Sequence, residues 1–127
     1  MTRIVIVGGG YAGFYTAFKL EKLLRRGEAE VVVIDPLPYM TYQPFLPEVA
    51  AGSIEARHAI VPLRRHLPKT RVITGLVTGV NHAKKKVTVT PEGFADFSLD
   101  YDHLVITAGA VSSTFPIPGV ADCAIGM

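Results

Sequence analysis

The sequence is short of the residues on which covalent and metal-based chemistry usually depends. It has one cysteine, Cys123, and no tryptophan among its 127 residues. A single thiol excludes a disulfide framework and a two-cysteine redox centre within the chain, and it indicates a reducing, cytoplasmic compartment. No spacing of histidine, cysteine or carboxylate side chains is typical of a metal site, and no residue stands out as an acid–base catalyst.

Two further absences limit the partners that the sequence predicts. No run approaches the ~20 apolar residues that a membrane-spanning helix needs. The formal net charge is only +2, so the composition gives no reason to expect a nucleic-acid partner. Hydrophobic residues make up 49% of the chain and charged residues 19%, which is the balance of a globular domain with a real core.

The first 35 residues have the pattern of a strand, a helix and a second strand. Residues 4–7 and 31–34 are continuous apolar, β-branched runs, as in parallel strands covered on both faces. Residues 12–26 have apolar side chains at helical spacing, two arginines near the end, and Gly27 as a natural stop. This pattern predicts a βαβ unit.

The rest of the chain predicts a long connecting segment, residues 36–68, which we call the excursion, followed by a small β-meander. Residues 36–68 hold six of the nine prolines, and short helices are expected near Glu48 and after Pro62. Further strands are predicted at 71–80, 87–90 and 97–101, with a hairpin turn at 81–86, and a last buried strand at 104–106. The predicted fold class is α/β, a Rossmann-like domain with a β-hairpin or meander insertion, and we expect it to be incomplete.

The glycines Gly8, Gly10 and Gly13 follow the first strand and open the helix. In a G-x-G-x-x-G turn the first glycine makes the tight turn, the second lets a pyrophosphate approach the backbone, and the third lets the helix pack on the strand. Free N–H groups and the positive end of the helix dipole then favour the phosphates. The motif alone is weak evidence, but here it lies in the correct strand–helix context.

Asp35 ends the second strand, where a carboxylate can accept both hydroxyls of an adenosine ribose. The glycine turn and this acid together predict a dinucleotide ligand, either FAD or NAD. The alternative is a glycine-rich turn with an acidic strand end and no ligand. FAD is favoured because a hairpin-rich insertion, at residues 72–101, precedes a strand that ends in Thr107-Ala108-Gly109. That arrangement resembles the FAD-binding part of flavoprotein reductases with two dinucleotide domains.

A more specific resemblance lies in the excursion. The segment YMTYQPFLPEVAAG, at residues 39–52, resembles the F-Q-P-x-L-x-x-V-A-x-G segment of type II NADH dehydrogenases, which are non-pumping NADH:quinone oxidoreductases. The opening GGGYAGF and the segment IPGV, at residues 117–120, are also similar to that family. Pro47 departs from the aromatic residue that is common in the family. The resemblance covers essentially the whole chain.

The resemblance implies a role for individual residues. The residues implied to bind the FAD pyrophosphate are Gly8, Gly9, Gly10, Tyr11, Ala12 and Gly13. Asp35 and Pro36 are implied to contact the ribose, and Val77 the adenine. Ala108 and Gly109 are implied to lie on the flavin side. Gln43, Pro44 and Phe45 are expected near the flavin and the quinone access path. The alternative for this loop is that Tyr42, Phe45 and Leu46 simply fill the core.

The resemblance also implies an activity, which is hydride transfer from NADH to FAD and reduction of a quinone at the inner face of the cell membrane. It implies that residues 1–127 are the N-terminal segment of an FAD-binding domain, with 116–127 leading to an NADH-binding domain. Membrane attachment would come from a C-terminal part. We expect the 127-residue chain by itself to be inactive and to self-associate. The alternatives are the FAD-binding segment of another reductase, such as a ferredoxin-reductase-like protein, and a non-catalytic nucleotide-binding module.

Overall fold

The computed structural model describes residues 1–111, 113 and 115–123. Its strands are β1 (Thr2–Val7), β2 (Ala29–Asp35), β3 (Tyr39–Thr41), β4 (Ile60–Pro62), β5 (Arg71–Thr74), β6 (Leu76–Asn81), β7 (Lys86–Thr90), β8 (Phe97–Asp100) and β9 (His103–Ile106). Its helices are α1 (Tyr11–Leu23), α2 (Leu46–Ala50), α3 (Leu63–His66) and α4 (Val120–Cys123), with 3-10 turns at Gln43–Phe45 and Ala56–Ala59. Within the predicted connecting segment 116–127, residues 124–127 lie outside this description.

The central layer is a four-stranded parallel sheet in the order β5-β2-β1-β9. Its inner strands are continuous apolar runs because both of their faces are covered. On one face, Ile6 and Val33 pack with Phe14 and Ala17 of α1. The predicted βαβ unit and the α/β fold class are therefore confirmed.

The other face of the parallel sheet is covered by a second sheet, antiparallel and in the order β6-β7-β8. Val87 and Val89 of β7 are fully buried, and they join Val5 and Val32 in a second core cluster. The predicted meander thus exists, and its apolar side supplies the layer that a parallel sheet needs on each face.

Helix α1 is shorter than the sequence predicts. It ends at Leu23, and Leu24 already has an extended backbone, so the predicted end at residue 26 is wrong. The chain instead turns over residues 25–28, where the Glu28 carboxylate accepts a hydrogen bond of 2.9 Å from the Arg25 N–H. Gly27 has φ +84° in this turn, a conformation that glycine adopts without strain.

The single strand predicted at 71–80 is also wrong, because the chain leaves the parallel sheet at Gly75. The Gly75 N–H donates to the Asp35 carbonyl over 2.9 Å, at the end of β2. A Cβ at Gly75 would lie only 2.9 Å from Val89 Cγ1, so the close approach of the two sheets requires a glycine here. The apolar pattern on either side of Gly75 belongs to two different sheets.

The excursion between β2 and β5 is held by a strand pair that the sequence analysis missed. Strand β3 pairs with β4 in antiparallel register, with Met40 opposite Val61. The helices predicted near Glu48 and after Pro62 are confirmed as α2 and α3. Leu63, at the start of α3, is fully buried against the same core cluster as α1, which ties the excursion to the central sheet.

Candidate functional site: the glycine turn and the adjoining cleft

Two of the turn glycines are required by the fold itself. Gly8 has φ +100°, and a Cβ there would overlap the Thr107 carbonyl group at the end of β9. A Cβ at Gly13 would overlap the Gly8 carbonyl oxygen and would also lie 2.8 Å from Thr107 Oγ1. These are backbone approaches that only glycine permits. The ends of β1 and β9 and the first turn of α1 therefore meet in one tightly packed point.

Gly10 differs from its neighbours because the fold does not require a glycine there. Its backbone, with φ −70° and ψ −163°, is one that any residue adopts. A Cβ at Gly10 would meet no protein atom within 4 Å, because it would point into open space. Internal packing and backbone strain therefore do not explain this glycine.

The first turn of α1 has unused hydrogen-bond donors. The first bond of the helix runs from the Phe14 N–H to the Gly10 carbonyl, over 2.7 Å, and no side chain caps the helix. In the part of the chain that the structure describes, the N–H groups of Gly10, Tyr11 and Ala12 have no hydrogen-bond acceptor. These donors and the helix dipole favour an anion such as a phosphate at this end of α1.

Asp35 lies beside the glycine turn at the end of β2. Its Oδ2 accepts a hydrogen bond of 2.6 Å from the Gly9 N–H, and its Oδ1 accepts one of 2.8 Å from the Leu37 N–H. A carboxylate has about four acceptor positions, so half of them remain for other donors such as ribose hydroxyls. Pro36 follows on the surface, and the link from Gly75 to the Asp35 carbonyl brings the start of β6, with Val77, to the same edge.

A cleft of about 360 Å³ joins the glycine turn to the turn after β9. It is lined by Gly10, Tyr11, Ala12, Met40, Thr41, Gln43, Thr107, Gly109 and Ala110. Of the predicted site residues, the structure brings Gly10, Tyr11, Ala12, Gln43 and Gly109 together around this cleft. Met40 and Thr41 were missed, because only the pairing of β3 with β4, which is not visible in the sequence, places them here.

The loop that follows β3 is aromatic but is not part of the core. The Tyr42 and Phe45 rings pack edge to face, with ring centroids 4.8 Å apart. The ring centroids of Tyr42 and Tyr11 are 6.3 Å apart. Phe45 is 43% exposed, so the core-filling alternative is wrong for this residue. Tyr42 and Leu46 are half-buried. The aromatic group therefore extends from the cleft wall to the surface.

Other polar features lie away from this cleft. A second cavity, of about 480 Å³, lies at the opposite end of the sheet, between the end of α1 and β2. A hydrogen bond from Arg3, 2.6 Å long, lowers the pKa of Glu30 on β2. Among the described residues no cluster of side chains could hold a metal ion, and no helix is long and apolar enough to cross a membrane. Neither the second cavity nor the Arg3–Glu30 pair adds a group to the glycine-turn site.

Comparison with known proteins gives relatives with a consistent description. The chain is 37% identical to the external alternative NAD(P)H-ubiquinone oxidoreductase B2, mitochondrial, of Arabidopsis thaliana, over 94% of this chain and 22% of that protein. It is 35% identical to a type II NADH:quinone oxidoreductase of Staphylococcus aureus, over 94% of this chain and 29% of that protein. The chain thus spans between about a fifth and a third of the length of these relatives.

Solved structures agree with this comparison. The structure of NDH2 from Plasmodium falciparum in complex with NADH superposes with a TM-score of 0.83 at 25% identity, over 95% of this chain and 25% of that one. A sulfide:quinone oxidoreductase from Aquifex aeolicus superposes with a TM-score of 0.72 at 27% identity, over 84% of this chain and 24% of that one. The resemblance to type II NADH dehydrogenases is confirmed by these relatives. The family model for pyridine nucleotide-disulphide oxidoreductases matches residues 2–127, and the chain belongs to that family.

Proposed function

We propose that this chain binds the adenosine diphosphate half of FAD within an NADH:quinone oxidoreductase. The observation that carries the proposal is Gly10, a glycine that neither backbone strain nor packing requires, placed beside the free N–H groups of α1. A pyrophosphate fits both features because it is anionic and needs close approach to the backbone. The glycine turn is thus a cradle that a Cβ would fill.

The remaining site residues fit the other parts of the same cofactor. The free acceptor positions of Asp35 suit the two ribose hydroxyls, and the carboxylate would repel a 2′-phosphate. Pro36 and Val77, at the same sheet edge, are proposed to border the ribose and the adenine. Ala108 and Gly109, in the turn beside the cleft, are proposed to border the flavin side. FAD is favoured over NAD because the cleft continues from the glycine turn to this second turn.

The proposed reaction follows the relatives, which are named for NADH or NAD(P)H and a quinone. FAD held at the glycine turn would supply the hydride and electron transfer between NADH and a quinone. The residues of this chain bind and orient the cofactor, and none is assigned as an acid–base catalyst. Gln43 and the exposed Phe45, next to the cleft, are proposed to border the path by which the quinone approaches. A place at the inner face of the cell membrane remains a proposal that rests on the family resemblance.

Other flavoprotein reductases share this fold, as the match to the sulfide:quinone oxidoreductase illustrates. A ferredoxin-reductase-like protein would bind FAD but would not reduce a quinone, and a non-catalytic module would retain no flavin. The visible absorbance of the purified protein at its natural length separates the last alternative from the first two. Its rate of NADH oxidation with and without a quinone then separates the enzymes.

The Asp35→Ala variant is expected to weaken the binding of FAD by about 10- to 100-fold, as loss of a charge-assisted hydrogen bond predicts. The measurement is a titration of the flavin-free protein at its natural length with FAD. Asp100→Ala removes an exposed carboxylate at the opposite end of the sheets, where the Asp100 carbonyl accepts a hydrogen bond from Arg3 at the start of β1, and it should leave the affinity unchanged. Equal FAD affinity of Asp35→Ala and the wild type would remove Asp35 from the site.

The outer edge of β9 gives a separate expectation about the 127-residue chain by itself. Strand β9 pairs with β1 on one side, and among the described residues no strand pairs with its other side. Ile106, on this strand, is 66% exposed. An open edge with apolar side chains tends to recruit another strand, so we propose that two copies associate here. Light scattering should report a dimer or larger species, and a monomer at all concentrations would contradict the proposal.

A further inference from the structure

Thr107 is the first residue after β9, and its side chain reaches the glycine turn. The Thr107 N–H donates to the Val7 carbonyl over 2.8 Å, which continues the pairing of β9 with β1. Its hydroxyl lies 2.9 Å from the Val7 carbonyl oxygen and 3.0 Å from the Gly8 carbonyl oxygen. The single hydroxyl proton is therefore shared between two backbone acceptors, of which the second belongs to the turn.

The peptide that joins Gly8 to Gly9 is held at both of its polar ends. Its carbonyl oxygen accepts from the Thr107 hydroxyl, and its N–H donates to Asp35 Oδ2 over 2.6 Å. Thr107 follows β9 and Asp35 ends β2, which lie on opposite sides of β1. A rotation of this one peptide would break both hydrogen bonds, so the two side chains fix its plane together.

This peptide is also the backbone against which α1 begins. A Cβ on Gly13 would overlap the Gly8 carbonyl oxygen, which shows how closely the first turn of α1 rests on it. Gly10, with its open approach, is two residues further along the chain, and Thr107 itself lines the adjoining cleft. The direction of the Gly8–Gly9 peptide therefore helps to set where the free N–H groups of Gly10 and Tyr11 point.

We propose that Thr107 is a positioning residue for the cofactor, and that its hydroxyl fixes the Gly8–Gly9 peptide in the orientation that receives the FAD pyrophosphate. The inference rests on the proposed function, since it assumes that FAD is the ligand. This role also explains why the turn after β9 is hydrogen-bonded directly to the glycine turn. Through Thr107, one hydroxyl couples the two segments that border the cleft.

The test compares Thr107→Val, which has the same shape without the hydroxyl, with Thr107→Ser, which keeps the hydroxyl. Because the Thr107 N–H bond to Val7 is retained in both, the sheet should form in both. A matched control is Thr70→Val, which removes a buried hydroxyl that donates to Glu21 Oε1 over 2.7 Å at the other end of the sheet. Flavin-free protein of each kind, at its natural length, is titrated with FAD.

We expect Thr107→Val to raise the dissociation constant for FAD by roughly three- to tenfold, the usual effect of one lost hydrogen bond. Thr107→Ser should stay within about twofold of the wild type, and Thr70→Val should bind FAD like the wild type even if its unfolding temperature falls. Wild-type affinity in Thr107→Val, or an equal loss in Thr107→Ser, would overturn the proposal.

A second readout does not depend on FAD. Hydrogen exchange of the Gly9 amide, followed by NMR in the flavin-free protein, reports whether this N–H still donates to Asp35. Exchange should be several-fold faster in Thr107→Val than in the wild type and in Thr107→Ser, and unchanged exchange would refute the role of the hydroxyl. If the wild type failed to bind FAD, the proposed function would fail, while the Gly9 exchange would still decide whether Thr107 fixes the peptide.

Discussion

A Gly10→Val variant should fold like the wild type and purify without FAD. The φ and ψ angles of Gly10 suit valine, and the added side chain would point into space that no protein atom occupies within 4 Å. The cost to the fold should be limited to a poorer helix N-cap, about 1 kcal/mol or less. Close approach of the pyrophosphate to the backbone would, however, be blocked by the two methyl groups.

The measurement pairs thermal unfolding with the flavin absorbance of the purified protein at its natural length. The expected result is an unfolding curve close to that of the flavin-free wild type, together with loss of nearly all bound flavin. Gly79→Ala is a suitable control because its new Cβ would lie 3.7 Å from Thr88 Oγ1, an ordinary contact between β6 and β7. Stoichiometric FAD in Gly10→Val would show that the open space beside Gly10 is not where the cofactor binds.

The second large effect is expected at Gly13, where the fold rather than the ligand requires a glycine. Gly13→Ala places a Cβ onto the Gly8 carbonyl oxygen, a backbone atom that cannot swing away as a flexible side chain could. The helix has to move off the end of β1, and with it the buried contacts of Phe14 and Ala17. We expect the free energy of unfolding to fall by about 3 kcal/mol or more, a large loss for one methyl group.

Chemical denaturation of Gly13→Ala beside Gly79→Ala tests this expectation. The control adds the same methyl group to another glycine, so its stability should stay within about 1 kcal/mol of the wild type. Wild-type stability of Gly13→Ala would mean that α1 does not rest on the Gly8 carbonyl as described. Taken together, Gly10→Val and Gly13→Ala should separate loss of the ligand from loss of the fold, although the two glycines belong to one motif.

The local parts of the fold could be predicted from the sequence because their causes are local. The βαβ unit lies within the first 35 residues. It is predicted directly by the apolar runs that form β1 and β2 and by the glycines between β1 and α1. The end of α1 was misplaced because Leu24 continues the helical apolar pattern. Its backbone is extended in the structure, and the tertiary turn at Gly27 decides where the helix ends.

The parts that could not be predicted depend on contacts between distant residues. The break at Gly75 follows from the approach of Val89 and from the Asp35 carbonyl, neither of which is adjacent in the sequence. The β3–β4 pair joins three-residue strands that are separated by about twenty residues. The same reason hid Met40 and Thr41 from the predicted site, since they line the cleft only because that pair forms.

The most direct test of the central claim is a crystal structure of the protein at its natural length, grown with FAD. The account predicts pyrophosphate oxygens within about 3 Å of the N–H groups at the start of α1, over the bare face of Gly10, with ribose hydroxyls at the Asp35 carboxylate. FAD bound elsewhere, or its pyrophosphate held away from α1, would contradict it.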